Sequence, residues 1–166
     1  MNYTPKHNDV KMRAIYGGLV ILSFVFMNVG TGAVNAVCRA VSVLCLALGI
    51  YLFIRHDLTT YTYIVMENGN RLDFYINKTT GKRGSYVCYY ALDDIVSVED
   101  YKKGTKKEIE QKYGKTFFYN YCHNRFALSR QVIVFKNTGY HDAVIVELSP
   151  ECVAYLKSHV KQTEEN

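Results

Sequence analysis

Residues 14–54 read AIYGGLVILSFVFMNVGTGAVNAVCRAVSVLCLALGIYLFI, and Arg39 is the single charged residue in this stretch. From Leu58 onward, charges and turn residues return at ordinary density. A run this long and apolar favours a membrane, rather than a soluble core, as its surroundings. We therefore expect the chain of 166 residues to consist of an N-terminal membrane anchor and one further domain.

The apolar stretch predicts two transmembrane helices, at about 14–29 and 33–54. The link between them, GTG at 30–32, is long enough only for a tight turn, so the helices should form an antiparallel hairpin. Basic residues flank the hairpin in segment 1–13 and at Arg55, whereas the link has no charge. The positive-inside rule then predicts a multi-pass protein of the cell inner (cytoplasmic) membrane with both termini in the cytoplasm.

Polar residues on the second helix form a candidate contact surface in the membrane. Asn35, Arg39 and Ser42 recur at i, i+4 and i+7, which places them on one helical face. An ionisable residue inside a membrane is by default a candidate functional site. By the helical rise, Arg39 lies about 9 Å from the outer end of the helix. Its side chain therefore either snorkels to the outer interface, contacts a partner helix, or lines an ion or substrate path.

Small residues mark another face of the same helix, at Ala33, Ala36, Ala40 and Ala47. Their spacing has a 3.5-residue period, and small side chains let two helix backbones approach closely. This alanine seam serves either packing within the hairpin, against the Gly-Gly pair at 17–18, or oligomerisation in the membrane.

The sequence from residue 58 onward predicts a mostly β-structured domain over 58–161, followed by a polar tail at 162–166. Alternation of apolar and polar residues, interrupted by turn residues such as Asn124-Arg125, indicates seven strands. They are expected at about 61–66, 71–77, 85–90, 95–101, 116–122, 131–136 and 143–148. After them, Ser149 as N-cap and Pro150 at the first helical position predict an amphipathic helix that runs to about Lys161.

The stretch KKGTKKEIEQKYGK at 102–115 interrupts the strand pattern. It is polar and lysine-rich, and only Ile109 and Tyr113 offer apolar anchors. We expect a long mobile loop with at most one helical turn. An ordered element here would put the strand count in doubt.

Three segments of the domain carry a resemblance to a known group: the hairpin at 64–74, ALDDIVSV at 91–98 and LSPE at 148–151. With the apolar hairpin, they resemble bacterial membrane proteins in which one or two spans precede a pleckstrin-homology-like (PH-like) domain. The resemblance implies two roughly orthogonal sheets that form an open barrel of about seven antiparallel strands. The C-terminal amphipathic helix would plug one end of this barrel, and the stretch at 102–115 is longer than the fold needs.

Two clusters of basic residues are candidate contacts for lipid headgroups. The first contains Lys78, Lys82 and Arg83, and the second contains Lys102, Lys103, Lys106 and Lys107. A domain tethered a few residues after a transmembrane helix must lie near anionic headgroups, where each lysine contributes roughly 1 kcal/mol of attraction. The alternative for the second cluster is an ordinary solvated loop, since Glu108 and Glu110 dilute its charge.

The domain is also rich in tyrosine, a residue type enriched at protein interfaces. Tyr75, Tyr119 and Tyr121 are candidates for an outward-facing interaction surface. The alternative is that their rings belong to the core of an open barrel, with the hydroxyls at its rim.

The sequence shows no residue pattern typical of catalysis, a cofactor or a metal. Its five histidines and five cysteines have none of the spacings typical of zinc sites or thiol catalysis. Motifs for phosphate binding and for nucleophilic serine are also missing. The net charge of +5 does not indicate nucleic-acid binding, because most of the excess flanks the apolar stretch.

Together these features predict a non-catalytic, membrane-tethered interaction module that presents a PH-like domain at the inner leaflet. Its expected partners are membrane lipids and either another protein or a second copy of the chain. The alternative is an accessory or immunity-type membrane subunit that acts through its transmembrane hairpin, with Arg39 at a helix–helix contact.

Overall fold

The computed structural model describes residues 1–6, 10–29, 31–124 and 129–160. The chain divides into two compact units. The first unit, residues 7–59, is a pair of long apolar helices. The second unit joins the N-terminal residues to everything after Thr59, and it is an α+β domain built on two β-sheets.

The two predicted apolar helices are confirmed as α1 (Val10–Met27) and α2 (Gly32–His56). Each is long and apolar enough to cross a membrane, by length and composition. Helix α1 begins and ends earlier than the predicted range 14–29. Gly30, in the predicted turn between the helices, lies outside the described residues.

Helices α1 and α2 pack against each other along the face of α2 that carries Ser42 and Gly49, both of which are buried. Gly49 marks the close approach of the two backbones. A Cβ atom at this position would lie 3.3 Å from Val20 Cγ2 and 3.5 Å from the Tyr16 carbonyl oxygen. Glycine is therefore the residue that lets the helices meet here.

The alanine seam does not pack within the hairpin, so that interpretation is wrong. Its four members are all exposed: Ala33, Ala36, Ala40 and Ala47. At about 100° of rotation per residue, they lie on the side of α2 opposite Ser42 and Gly49. A Cβ atom at Gly17 or Gly18 would likewise contact nothing within 4 Å. Oligomerisation through the seam stays a prediction.

Polar contacts join the two helices at two levels. The Ser42 hydroxyl donates to the Ser23 carbonyl oxygen at 2.8 Å, and the two hydroxyl oxygens lie 3.1 Å apart. At the open end of the hairpin, Asp57 accepts hydrogen bonds from Arg13 Nη2 at 3.1 Å and from the Tyr16 hydroxyl. Ser42 lies about 15 Å along α2 by the helical rise, where an unpaired hydroxyl would be costly in hydrocarbon.

Replacing Gly49 by valine should force the two helices apart, because overpacking a close contact costs about 1–3 kcal/mol. Cys38 and Cys45 are half-buried on α2, so their reaction with a maleimide in detergent should become several-fold faster. Peptide mass mapping measures these rates in the full-length protein. Gly17→Val is the matched control, since a Cβ atom at this position has no neighbour within 4 Å; an equal acceleration in both variants would contradict the packing described.

The elements of the α+β domain follow the predicted order. The first sheet contains, side by side, β1 (Asn2–Tyr3), β2 (Thr59–Asn68), β3 (Arg71–Thr80) and β4 (Arg83–Ala91). The second contains β5 (Ile95–Asp100), β7 (Gln131–Asn137), β8 (Tyr140–Val146) and β6 (Thr116–Asn120). Helix α3 (Thr105–Tyr113) connects β5 to β6, and α4 (Pro150–Val160) follows β8. The seven predicted strands correspond to β2–β8 and are confirmed with adjusted bounds.

Strand β1 adds an eighth strand, formed by the segment that precedes the apolar helices. The Met1 amino group donates to the Val65 carbonyl oxygen at 2.9 Å, and the Val65 amide donates back to the Met1 carbonyl oxygen at 2.8 Å. Tyr3 then pairs with Tyr63 across the two strands. Residues from before α1 and after α2 therefore belong to one sheet.

The second sheet departs from the antiparallel order that the PH-like resemblance implies. Strand β6 runs parallel to its neighbour β8, while β7 is antiparallel to both β5 and β8. Strands β5 and β6 consequently point the same way, and a chain that returns in the same direction needs a crossover connection. Helix α3 supplies that crossover. Among the residues that the structure describes, the two sheets remain separate and do not close into a barrel.

The stretch 102–115 contains helix α3, so the prediction of a mobile loop is wrong. Ile109 is 1% exposed, and it packs with Tyr113 against the face of the second sheet that carries Val134 and Ile145. The backbone amide of Lys102 donates to Thr105 Oγ1 at 3.0 Å, which fixes the entry to the helix. Two apolar residues one turn apart are enough to stabilise α3 because the sheet beneath it already offers an apolar surface.

The main core lies between the two sheets. Tyr63 and Phe74 of the first sheet and Phe135 of the second are fully buried, and their rings follow one another at centroid distances of 6.4 and 6.2 Å. The Tyr63 hydroxyl donates to the Tyr121 carbonyl oxygen at 2.9 Å and accepts from the Glu147 amide at 3.2 Å. Burial raises the pKa of Tyr63 well above its usual range, so this hydroxyl stays a donor.

Helix α4 begins as predicted. The Cys152 amide donates to Ser149 Oγ at 3.2 Å, which is the expected N-cap bond, and Pro150 occupies the first turn. Cys152 and Leu156 are buried against the core. The predicted helix end at Lys161 and the tail at 162–166 lie outside the described residues, as does Arg125 of the predicted turn.

Candidate interaction surface

Strand β4 is the outer strand of the first sheet. It pairs with β3 on one side, and on its other side the described part of the chain places no strand. Tyr86 and Tyr89 are each 62% exposed, and Val87 between them is 39% exposed. We refer to residues 83–91, with their unpaired backbone groups, as the β4 edge.

The other sheet edges of the described domain are short or covered. Strand β1 has two residues and β6 has five, and helix α4 packs beside β5. The β4 edge is nine residues long. Natural proteins usually protect such an edge with lysine, proline, a β-bulge or a covering element. The middle of β4 has a bulge at Val87 but neither lysine nor proline, and it carries exposed tyrosine and valine.

A β-bulge in β4 gathers three tyrosines on one face of the first sheet. Tyr75 of β3 lies opposite Tyr89, but the register then shifts, so that Asn77 lies opposite Tyr86. The extra residue turns Tyr86 to the same face as Tyr75 and Tyr89. Their ring centroids lie 5.5 and 5.9 Å from that of Tyr75. We call these three residues the tyrosine cluster.

Other side chains of β4 anchor the strand to the second sheet. The Tyr90 ring stacks on Phe135 at a centroid distance of 4.1 Å, and its hydroxyl donates to Asp142 Oδ2 at 3.4 Å. Cys88 is half-buried and packs on the same core. The β4 edge is therefore held in an extended conformation before any partner binds, which lowers the entropic cost of pairing.

A shallow depression of about 430 Å³ runs along the β4 edge, lined by residues 86–90. The two ends of the edge carry opposite charges. Lys82 and Arg83 are exposed where β4 begins, and Asp93 and Asp94 are exposed in the turn of 3₁₀ helix that follows it. A bound strand would thus meet an aromatic centre between a basic and an acidic end.

Burial raises the pKa values of two side chains next to the β4 edge, Cys88 and Tyr121. The pKa of the Cys88 thiol is raised to about 11, chiefly by burial; a hydrogen bond with Tyr121 acts in the opposite direction, and the nearby Asp142 carboxylate adds to the increase. Burial also raises the pKa of Tyr121 to about 12. Both groups are neutral at physiological pH, so Cys88 does not act as a thiolate nucleophile.

This raised pKa predicts slow alkylation of Cys88. At pH 8, a thiol with a pKa of about 11 is about 100-fold less ionised than one at the ordinary value of 9.0. Iodoacetamide should therefore modify Cys88 about 100-fold more slowly in the folded full-length protein than in urea. The stability that the neutral thiol contributes is present below pH 9 and is lost as the pH rises through 11.

Peptide mass mapping at several pH values measures the Cys88 rate. Between pH 8 and 10 the rate in the folded protein should rise about tenfold per pH unit, as expected for a thiol far below its pKa. Equal rates in folded and unfolded protein would contradict the burial of this side chain.

The two predicted basic clusters lie on different elements of the α+β domain. Lys82 and Arg83 are exposed at the turn between β3 and β4, and Lys78 is half-buried on β3. The second cluster gathers within a few residues of the start of α3, and all four side chains are exposed: Lys102, Lys103, Lys106 and Lys107. Lys106 lies over the Phe118 ring, with Nζ 5.1 Å from the centroid. The contact of either cluster with lipid stays a prediction.

The residues of the predicted polar face on the second apolar helix differ in burial. Ser42 is buried and bonded to Ser23, and Asn35 is half-buried. Arg39 is exposed on the flank of α2, outside its contact with α1. By helical rotation the three residues share one side of α2, as predicted. The contact of Arg39 with the outer interface or another helix stays a prediction.

Of the three tyrosines predicted to face outward, Tyr119 is 40% exposed, whereas Tyr75 and Tyr121 are half-buried; their part in an interaction surface stays a prediction. Tyr75 belongs to the tyrosine cluster, whereas Tyr119 stacks on the half-buried Tyr121 at 6.4 Å, near the end of β6. Tyr86 and Tyr89, the most exposed tyrosines of β4, were not among the predicted residues. The sequence SYVCYY at 85–90 could have indicated them, because it places tyrosines on both faces of one strand, and at least one of those faces can be exposed.

Within the described ranges, no three histidine, cysteine, aspartate or glutamate side chains come together as a metal site would require. Comparison of the chain with protein-family models, with curated proteins and with solved structures found no match. The arrangement of the β4 edge is thus the main guide to function.

Proposed function

We propose that this chain is a non-catalytic, membrane-tethered interaction module whose α+β domain binds a protein partner through the β4 edge. The observation that carries the proposal is the nine-residue outer strand with Tyr86 and Tyr89 each 62% exposed. An extended segment can add to such an edge by backbone hydrogen bonds, with alternate side chains in contact with the exposed rings. The tyrosine cluster supplies a rigid aromatic surface of the kind enriched at interfaces.

The tether is the pair of apolar helices, which we propose cross the inner membrane as a hairpin. Strand β1 supports this arrangement, because Met1 to Tyr3 pair with β2 of the domain that follows α2. The two ends of the hairpin must then lie on the same side of the membrane, as two spans require. Basic flanks and an uncharged link favour the cytoplasmic side for both termini.

The four lysines at the start of α3 support an accessory contact with anionic headgroups. Lys106 and Lys107 lie in the first turn of α3, and Lys102 and Lys103 come just before it, so the four lysines share one short segment. Each would contribute roughly 1 kcal/mol near an anionic surface. We place this contact second to protein binding, because attraction to a charged surface does not explain an exposed aromatic strand.

Co-purification from native membranes in mild detergent tests the protein-binding proposal. The tag belongs at the C-terminus, because the Met1 amino group takes part in the first sheet. We expect the full-length protein to recover a partner in fixed stoichiometry, and the variant Tyr86→Ser/Tyr89→Ser to recover at least tenfold less, since interface tyrosines are often hot spots worth more than 1 kcal/mol each.

Tyr155→Ser is the matched control, because Tyr155 is also exposed but lies on α4. It should recover the partner at the wild-type level. Equal recovery by wild type and the β4 variant would overturn the proposal. Loss of the partner only in Arg39→Ala would favour the accessory-subunit alternative, and recovery of anionic lipid alone would favour the lysine segment.

A further inference from the structure

We propose that the partner of the β4 edge is the β4 edge of a second copy of this chain, paired antiparallel about a two-fold axis. This inference rests on the proposed function, and it names the occupant of the same surface. It follows from the distribution of charge along the strand, which is self-complementary in one direction only.

When two identical strands pair antiparallel about a two-fold axis, a residue a given number of positions before the axis in one copy lies opposite the residue the same number of positions after it in the other copy. With the axis at Cys88, residues 85–91 of the two copies pair, and Lys82 and Arg83 of one copy lie at the same end of the ladder as Asp93 and Asp94 of the other. With the axis at Val87, one residue earlier, Arg83 lies opposite Ala91, and long side chains still reach the acidic turn. In both registers the basic end of each copy meets the acidic end of its partner, and symmetry repeats the contact.

The charged ends are available for such a contact. Lys82 and Arg83 are exposed, and so are Asp93 and Asp94. None of the four takes part in an ion pair among the described residues. Parallel pairing would instead bring like charges together, which costs several kcal/mol at an interface. The charges therefore select both the orientation and the partner.

The exposed residues at the centre of β4 are also compatible with antiparallel pairing about a two-fold axis. Tyr86, Val87 and Tyr89 lie within two residues of either axis, so the exposed apolar parts of the two copies would meet each other. An isologous interface of this kind uses one patch twice and closes at two copies. Pairing would also satisfy the outward backbone groups of both strands, and it would convert two four-stranded sheets into one continuous sheet of eight strands.

Charge reversal tests the pairing in the full-length protein. In detergent, light scattering should give wild-type protein a mass of twice the 19.1 kDa chain. The variants Lys82→Glu/Arg83→Glu and Asp93→Lys/Asp94→Lys should each be monomeric, with a dimer dissociation constant raised roughly 100-fold, because both ends of the interface become repulsive. An equimolar mixture of the two variants should form a heterodimer, since every end then meets its opposite.

Lys136→Glu/Lys157→Glu is the control, since both lysines are exposed outside the β4 edge, the net charge changes as in Lys82→Glu/Arg83→Glu, and the variant should remain dimeric. Circular dichroism of each variant establishes that the exposed substitutions leave the fold intact. Dimers that persist in both charge-reversed variants, monomeric wild type, or a mixture that fails to pair would each overturn the inference. If wild type is monomeric while Tyr86→Ser/Tyr89→Ser still loses a different protein, the proposed function stands and only the identity of the partner is wrong.

Discussion

Replacing Phe135 by alanine should lower the free energy of unfolding of the α+β domain by about 3–5 kcal/mol. The side chain is fully buried, with its ring 6.2 Å from that of Phe74 and 4.1 Å from that of Tyr90. Removing it leaves a cavity where the two sheets meet and takes away the ring on which β4 is anchored. Urea unfolding of the full-length protein in detergent, followed by near-ultraviolet circular dichroism of tyrosine, measures the loss.

Phe117→Ala is the matched control for this experiment. Phe117 lies on the edge strand β6 and is 43% exposed, so its truncation should cost less than half as much. Comparable losses in the two variants would show that the core is not centred on Phe135.

Replacing Ile109 by alanine should detach helix α3, at a cost of about 2–5 kcal/mol. Ile109 is the buried apolar anchor of a nine-residue helix that is otherwise mostly charged, and a helix of this length is not stable without tertiary packing. Amide hydrogen exchange should become faster across 105–113 while the first sheet keeps its protection. Glu110→Ala, at an exposed position of the same helix, should leave exchange unchanged; faster exchange there as well would contradict the role given to Ile109.

The sequence patterns that predicted the fold correctly are local ones. The apolar runs of α1 and α2, the alternation of β2–β8 and the Ser149-Pro150 start of α4 depend only on neighbours in the chain. Strand β1 was missed because a pair of residues has no detectable period. Helix α3 was missed because its apolar face has two residues, and its stability comes from the sheet beneath it.

The parallel strand β6 and the β4 edge depend on long-range pairing. Residues 116–120 look like any other strand, and their direction is set by the crossover through α3. Strand 85–90 was predicted, but its position at the outside of the sheet, and the bulge that turns Tyr86 beside Tyr75, follow from register. Helical spacing alone predicts which residues share a face with the alanine seam or with Arg39. Which side of α2 contacts α1 depends on packing between two helices, so the spacing within one helix does not predict it.

Amide hydrogen exchange of the β4 edge gives the clearest test of binding through this strand, when native membranes are compared with detergent solution diluted until light scattering shows the monomer. In the separated protein, the amides of β4 that point away from β3 have no strand partner among the described residues and should exchange quickly. In membranes, where the partner is bound, we expect these amides in 83–91 to become protected by at least tenfold, while those of β6 do not change. Equally fast exchange of β4 in both conditions, with protection appearing on α3 or elsewhere, would contradict the claim that this edge is the binding surface.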